Sequence, residues 1–257
     1  MPLAEKDIAY CAARLHQAAM SREAIRPLSE RFVDLDASAG YAIQRRLVAL
    51  HDRYLDGYKL GFTSAAMREQ MGVAEPNYGV LLQGSRHEDT VSADDFIHPL
   101  IEPEIALVLG GSLEGPDVTA QAAATAVASC HAAIEIVDSR YLDYRFKAAD
   151  NIADNSSAAG YVLGAGQSLG ALGDPAHLTV RISRGEESLA EGNGSAALGG
   201  PLEALAWLAR TLTAHGQTLH AGSVVLTGGL SRAFPAHAGD QFTVTTNGLA
   251  PVSLRFL

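Results

Sequence analysis

Two rhythms of apolar positions divide this chain. Ile8, Cys11, Ala12, Leu15 and Ala19 recur at three- and four-residue spacing, which predicts an amphipathic helix. Tyr41, Ile43, Leu47, Val48 and Leu50 predict a second helix, with Ser38 as its N-cap. The first 55 or so residues hold few strand formers and read as helical. From Gly57 onward the pattern changes to short apolar runs punctuated by Gly, Pro, Asn and Asp. Residues 58–62, 79–82, 101–109, 133–137, 160–163, 178–182, 223–227 and 242–245 are the strands this predicts. Two helical patterns interrupt them, at 119–128 and at 201–215. The second opens on Pro201 and carries Leu202, Leu205, Ala206, Leu208, Ala209 and Leu212 as a core stripe.

Strands with interspersed helices and no regular βαβ rhythm place the chain in the α+β class with a mixed sheet, and argue against a Rossmann fold. Near the end, Asn247-Gly248 between two strand-like runs predicts a hairpin, with Pro251 disturbing its second strand. No repeat, low-complexity tract or flexible linker is visible. The organisation expected is a helical N-terminal region over 1–56 and a mixed-β domain over 57–257, forming one continuous structural unit.

Composition narrows the function. At 257 residues, with 47% hydrophobic and 19% charged, the chain is ordinary globular material able to bury a sizeable core. A formal net charge of −10 and a pI near 5.3 argue against nucleic acid or an anionic membrane as partner, and favour a small molecule. Cys11 and Cys130 are far apart in apolar contexts, so neither a disulfide framework nor a thiolate metal site is expected. The amino terminus lacks a signal-peptide pattern, and no apolar run reaches about 18 residues. A soluble protein of the reducing cytoplasm is the expectation.

Against that background the run Ile101-Glu102-Pro103-Glu104-Ile105-Ala106-Leu107-Val108-Leu109 is unusual. Two carboxylates at i and i+2 on a strand share a face, here within an apolar run. A third, Glu135, lies in the similar setting Ala132-Ala133-Ile134-Glu135-Ile136-Val137. Buried like charges need a cation, and an all-carboxylate set suits Mg²⁺ or Mn²⁺ rather than zinc. The alternative is that Glu102 is a strand-end surface residue while Glu104 and Glu135 pair with nearby arginines.

Other motifs carry less. Gly164-Ala165-Gly166-Gln167-Ser168-Leu169-Gly170 has the wrong spacing for a dinucleotide loop and reads as a plain loop. Thr227-Gly228-Gly229 is a tight turn or a place where a ligand carboxylate meets backbone N–H groups. His98 is a structural histidine or a proton carrier. No serine lies in a G-x-S-x-G setting, so nucleophilic acyl chemistry has no support. Lys59 is a lone cation in an apolar run: an acid, base or charge clamp if buried, a strand-edge lysine if not. Arg140 is suited to holding a carboxylate or a metal-bound glutamate. Turn capping accounts for Asp154 and Asn155.

Taken in order, Tyr58-Lys59-Leu60-Gly61-Phe62-Thr63-Ser64, Met71-Gly72-Val73, Pro76-Asn77-Tyr78-Gly79, Glu102-Pro103-Glu104-Ile105-Ala106, Glu135-Ile136-Val137-Asp138-Ser139-Arg140-Tyr141 and Ala153-Asp154-Asn155-Ser156-Ser157 form a set. With the closing Val224-Val225-Leu226-Thr227-Gly228-Gly229 and Ala238-Gly239-Asp240, it resembles the hydratase/decarboxylase family of 2-oxopent-4-enoate hydratases and 4-oxalocrotonate decarboxylases, within the fumarylacetoacetate hydrolase superfamily. The likeness runs over essentially the whole chain. It implies a mixed β-roll of the fumarylacetoacetate hydrolase C-terminal-domain type, and Mg²⁺ or Mn²⁺ held by Glu102, Glu104 and Glu135. It further implies a role in bacterial meta-cleavage of aromatic compounds.

On these motifs the candidate catalytic residues are Lys59, Asn77, Arg140 and Ser157. The candidate substrate-binding residues are Tyr78, Tyr141, Lys147, Thr227 and Gly228. The substrate implied is a small 2-oxo acid. A homo-oligomer is expected, with a complex between hydratase and decarboxylase partners as a further expectation. The reaction favoured is decarboxylation of 2-oxohex-3-enedioate to 2-hydroxypenta-2,4-dienoate through a dienolate that the ion stabilises. Hydration of that dienoate to 4-hydroxy-2-oxopentanoate is the alternative. Hydratases typically carry Asp where Asn77 stands, and Asn cannot take a proton from water. Tyr78, Tyr144 and Phe146 also look more like the decarboxylase branch, whereas Lys147 and Asp150 match hydratases. A C–C bond hydrolase using His87-Glu88 or His98, and a noncatalytic oxoacid-binding homologue, remain as lesser readings.

Overall fold

The computed structural model describes residues 3–257. Its first helices are α1 (Glu5–Ser21) and α2 (Ala37–Ala49). Helix α2 is capped by Asp36, whose carboxylate accepts the Ala39 N–H, and not by Ser38 as the sequence suggests. Both helices turn their apolar stripes onto one small core of Cys11, Leu15, Leu28, Ile43 and Leu47, which Tyr141 and Ala153 from later in the chain complete.

The sheet elements then begin: β1 (Leu55–Gly61), α3 (Ala65–Met71), β2 (Asn77–Leu82), β3 (Thr90–Val91) and β4 (Leu100–Leu109). Next come α4 (Ala120–Ala126), β5 (Val127–Val137), α5 (Ala148–Ala153), β6 (Ala158–Leu163) and α6 (Leu169–Leu172). The chain closes with β7 (Thr179–Arg184), β8 (Glu187–Asn193), α7 (Pro201–Ala214), β9 (Val224–Leu226), β10 (Phe234–Pro235), β11 (Gln241–Thr246) and β12 (Val252–Phe256).

Two mixed sheets result, giving the α+β class the sequence predicts. The larger runs β2-β1-β9-β4-β5-β6, with β10 on the end of β4; the smaller runs β3-β12-β11-β7-β8. Strand β9 lies parallel to β1 and antiparallel to β4, so it joins elements far apart in sequence. Gly57 is required there: a Cβ at this position would collide with the Val224 carbonyl. Helix α7 places Ala204, Leu205, Leu208, Ala209 and Leu212 in the main core between the sheets.

Three departures have physical causes. The helix expected over 119–128 stops at Ala126, because Val127 already pairs with Leu109 and begins an eleven-residue strand. Pairing overrides the alanine-rich propensity. The terminal hairpin has a longer connection than Asn247-Gly248, since Val244 pairs with Val252 and Thr246 Oγ1 accepts the Leu249 N–H at 2.7 Å. Pro251 lies just before β12 rather than within it. Strand β8 has only Leu189 and Ala190 as apolar residues, too short a run to signal a strand, and owes its existence to pairing with β7.

Behind α2, the His16 and His51 rings meet edge to face at 4.9 Å. Burial, with His16 and the nearby arginines, pushes the His51 pKa down from 6.5 to about 4. Neutral His51 therefore supports the fold above pH 6.5, and that support is lost as pH falls through about 4. His51→Gln should flatten the acid slope of the melting temperature between pH 6.5 and 4 relative to the wild type. An unchanged slope contradicts this assignment.

Candidate active site

Strand alternation and register create the site. Glu102 stands directly opposite Glu135 across β4 and β5, and Glu104 follows two residues on, so all three carboxylates share one face. One oxygen from each lies within 4.8 Å of the others. Glu104 and Glu135 are fully buried; Glu102 is partly exposed. Like charges opposed across strands repel, and burial deepens the cost. Burial first, then the neighbouring carboxylates, pushes Glu104 well above its ordinary range. Burial raises Glu102 to about 7 against the opposing pull of Lys59.

Lys59, from β1, is the cation nearest this group. Its Nζ lies 3.1 Å from Glu135 Oε1 and donates to the Ser156 carbonyl at 3.1 Å. Burial works against its charge, but Glu135, Glu102 and Glu104 outweigh burial and hold its pKa above the usual value. One ammonium does not neutralise three carboxylates. The Gly228 N–H donates to Glu104 Oε2 at 2.8 Å, and Glu135 Oε1 meets the Lys59 ammonium, while Glu104 Oε1 and Glu135 Oε2 have no donor among the described residues. Orphaned buried carboxylate oxygens converging on one point fit a hard divalent cation. Gly228 adopts φ 114, and a Cβ there would strike Thr63, so only glycine delivers that N–H.

Beside the carboxylates opens a cavity of about 320 Å³. Lys59 and Glu102 form its polar end, and Phe62, Met67, Leu100 and Phe146 line its apolar wall. Ser156 and Ser157 enter from a loop in which Asn155, Ser156 and Ser157 all adopt left-handed φ, at 54, 53 and 56. Such a run costs about 1–3 kcal/mol per residue and needs outside support. The support is a latch. Arg140 Nε pairs with Asp154 Oδ1 at 2.5 Å, and its other nitrogens donate to the Asp138, Asp154 and Ala158 carbonyls. Burial raises Asp154 to about 6 even though Arg140 draws it down.

Known proteins bear on this geometry. Residues 74–256 match the model of the fumarylacetoacetate (FAA) hydrolase C-terminal family. The chain belongs to that family. A 2-keto-4-pentenoate hydratase of Paraburkholderia phymatum is 38% identical over 250 residues, 95% of each chain. A 2-hydroxyhexa-2,4-dienoate hydratase of Comamonas testosteroni is 35% identical over 253 residues, again 95% of each. The solved 4-oxalocrotonate decarboxylase of Pseudomonas putida G7, complexed with magnesium and adipate, superposes with a TM-score of 0.95 at 31% identity over 99% of both chains. The relatives are thus lyases of both kinds.

Of the residues singled out from sequence, the structure brings Lys59, Glu102, Glu104, Glu135, Ser157 and Gly228 together. Tyr144 and Phe146 also line the cavity, but the other candidate catalytic and substrate-binding residues do not. Arg140 holds Asp154 rather than a metal-bound glutamate. Tyr78 points away, stacking on Tyr41 at 4.8 Å with its hydroxyl 3.1 Å from His215. Tyr141 is buried in the N-terminal core, donating to the Asp150 carbonyl. Thr227 donates to the Ile105 carbonyl, and Lys147 lines a separate cleft with Trp207 and His215. Asn77 lies one layer behind, donating to Asn151 and accepting from Ser156. His98 is engaged with the Ser139 carbonyl at 2.8 Å. Sequence reasoning misses Ser156, whose contribution is a carbonyl and so leaves no side-chain signal, as well as Asn151 and Arg232 on the cavity wall.

Two outcomes follow from this electrostatics. In Glu104→Gln, one of three repelling charges is gone, so the metal-free variant should melt higher than the metal-free wild type. It should also lose the stabilisation by Mg²⁺, which for an intact site is about 2.7 kcal/mol at a hundredfold excess over Kd. In Arg140→Met, Asp154 is left buried and unpaired, and chemical denaturation should report a loss of about 3–5 kcal/mol.

Proposed function

We propose that the protein is a divalent-metal-dependent lyase that decarboxylates 2-oxohex-3-enedioate to 2-hydroxypenta-2,4-dienoate. Glu102, Glu104 and Glu135 would hold Mg²⁺ or Mn²⁺. Such an ion supplies a positive charge that draws electron density toward the ketone of a 2-oxo acid. The protein's own residues do the rest. Lys59, kept charged by Glu135, sets an ammonium beside the oxygen that becomes negative as the C5–C6 bond breaks and CO₂ leaves. Ser156 fixes that ammonium through its carbonyl, and Ser157 lies on the same wall. The apolar wall of Phe62, Met67 and Phe146 keeps water from the conjugated chain.

One observation carries the choice of decarboxylation over hydration. Among the described cavity-lining residues, no carboxylate or imidazole is available to activate water: Glu102 belongs to the metal group, and Asn77 is an amide engaged at both ends. Loss of CO₂ needs no such base. Hydration of 2-hydroxypenta-2,4-dienoate remains the second reading, favoured by the names of the relatives at 38% and 35% identity.

The setting that goes with this reading is aromatic catabolism by meta-cleavage, in the cytoplasm, by a homo-oligomer that also contacts a partner hydratase. Exposed Leu50, Tyr54 and Leu55, close together in the chain, support self-association, and no described helix is long and apolar enough to cross a membrane.

The test is product analysis with both substrates, each with Mg²⁺ and with chelator. Metal-dependent release of CO₂ from 2-oxohex-3-enedioate, with the dienoate unconsumed, is the expected result. Formation of 4-hydroxy-2-oxopentanoate from 2-hydroxypentadienoate would replace this reading with the hydratase one.

A further inference from the structure

The cavity wall holds a second cation that the chemistry above does not use. Arg232 lines the same cavity as Lys59 and Glu102, in the segment that follows the Gly228-Gly229 turn. That segment is tied beside the carboxylates at two points: the Leu230 N–H donates to the Pro103 carbonyl at 3.0 Å, and Phe234 pairs with Ile101, next to Glu102. The guanidinium stands over the Phe234 ring, 4.9 Å from its centroid, which limits its directions without consuming its N–H groups. Among the described residues no carboxylate lies within salt-bridge distance of it, in a chain whose net charge is −10.

Charge balance says what such a group is for. Three carboxylates, one ammonium and a divalent ion cancel, so a 2-oxo acid brings the first uncompensated charge at its head. A second carboxylate at the far end of the substrate would be a further negative charge beside an apolar wall, and Arg232 is the remaining cation on that wall. We propose that Arg232 is a substrate-binding residue that holds the distal carboxylate of a dicarboxylic 2-oxo acid. This rests on the decarboxylase reading and assigns the residue that selects its substrate.

The role has a mechanistic signature. The carboxylate that Arg232 binds is the one expelled as CO₂, so the contact stabilises bound substrate and vanishes in the transition state and product. A contact of that kind lowers KM and, as far as it is lost in the transition state, lowers kcat with it. It also favours entry of the diacid over retention of the monoacid product. Arg232 therefore acts as a binding residue and not as an acid or base.

The experiment compares two ligands with the same head: 2-oxoadipate and 2-oxohexanoate, titrated calorimetrically into the Mn²⁺-loaded protein and its Arg232→Met and Arg232→Lys variants. Wild type should bind the diacid at least about tenfold more tightly, the worth of one charge-assisted contact. Arg232→Met should bring the two ligands to parity while leaving 2-oxohexanoate unchanged, and Arg232→Lys should keep part of the preference. In turnover of 2-oxohex-3-enedioate, Arg232→Met should raise KM about tenfold or more and raise kcat with it, as far as the contact is lost in the transition state. Retained diacid preference in Arg232→Met, or equal weakening of both ligands, overturns the proposal. The two readings fail separately: a wild type that prefers the diacid through Arg232 yet hydrates only the dienoate refutes decarboxylation alone. One that decarboxylates with KM indifferent to Arg232→Met refutes the specificity role alone.

Discussion

Glu102, Glu104 and Glu135 repel one another at the centre of a sheet, and the surrounding residues are arranged to offset that repulsion. Strand register forces the confrontation, because Glu102 and Glu135 are directly paired and Glu104 lies on the same face. The protein answers only in part, with the Lys59 ammonium at 3.1 Å from Glu135 and the Gly228 N–H on Glu104. What remains is a net negative cluster with orphaned oxygens, in an interior where such charge is expensive. The deficit is a built-in demand for a divalent cation. The same deficit explains why Lys59 stays charged although burial alone would strip its proton.

Everything that fixes Lys59 is itself held from behind. Its carbonyl partner, Ser156, belongs to a left-handed run of three residues, and the Arg140–Asp154 pair closes over that run. Asn155 adds a clamp, accepting the Val80 N–H at 2.7 Å and donating to the Val80 carbonyl at 2.9 Å. A chain of side-chain contacts then runs from Ser156 through Asn77 to Asn151, and from Ser157 to Asp154. Arg140, Asp154, Asn155 and Asn77 in this layer are positioning residues that set where the ammonium points, whereas Asn151, Ser156 and Ser157 also reach the cavity wall.

Period and charge make the metal group legible in the amino-acid sequence. Two glutamates at i and i+2 in an apolar run, and a third in a similar run, contain the geometry that strand alternation realises. The main helices and most strands are likewise visible as apolar rhythm. Less visible are elements that exist only through pairing, such as β8, and the extension of β5 back to Val127 through an alanine-rich stretch. Side-chain direction is the other gap. Tyr78 and Tyr141 sit in motif segments flanking site residues, yet alternation and tertiary packing turn them into the core. The chemistry of Arg140 marks it as a carboxylate holder, but its partner, Asp154, carries only the local signature of a turn residue. Arg232 gives no signal because a single cation in a loop has no period.

The sheet order carries one more consequence. Strand β9, residues Val224–Leu226, is wedged between β1 and β4, so the lysine-bearing strand and the glutamate-bearing strand are not neighbours in the sheet. A nascent chain that has left the ribosome only as far as α7 therefore holds the three glutamates on the paired strands β4 and β5, but lacks the strand that brings Lys59 up to them. Docking of the ammonium waits for synthesis of β9, so the partial neutralisation of the carboxylates is among the last contacts the polypeptide can make.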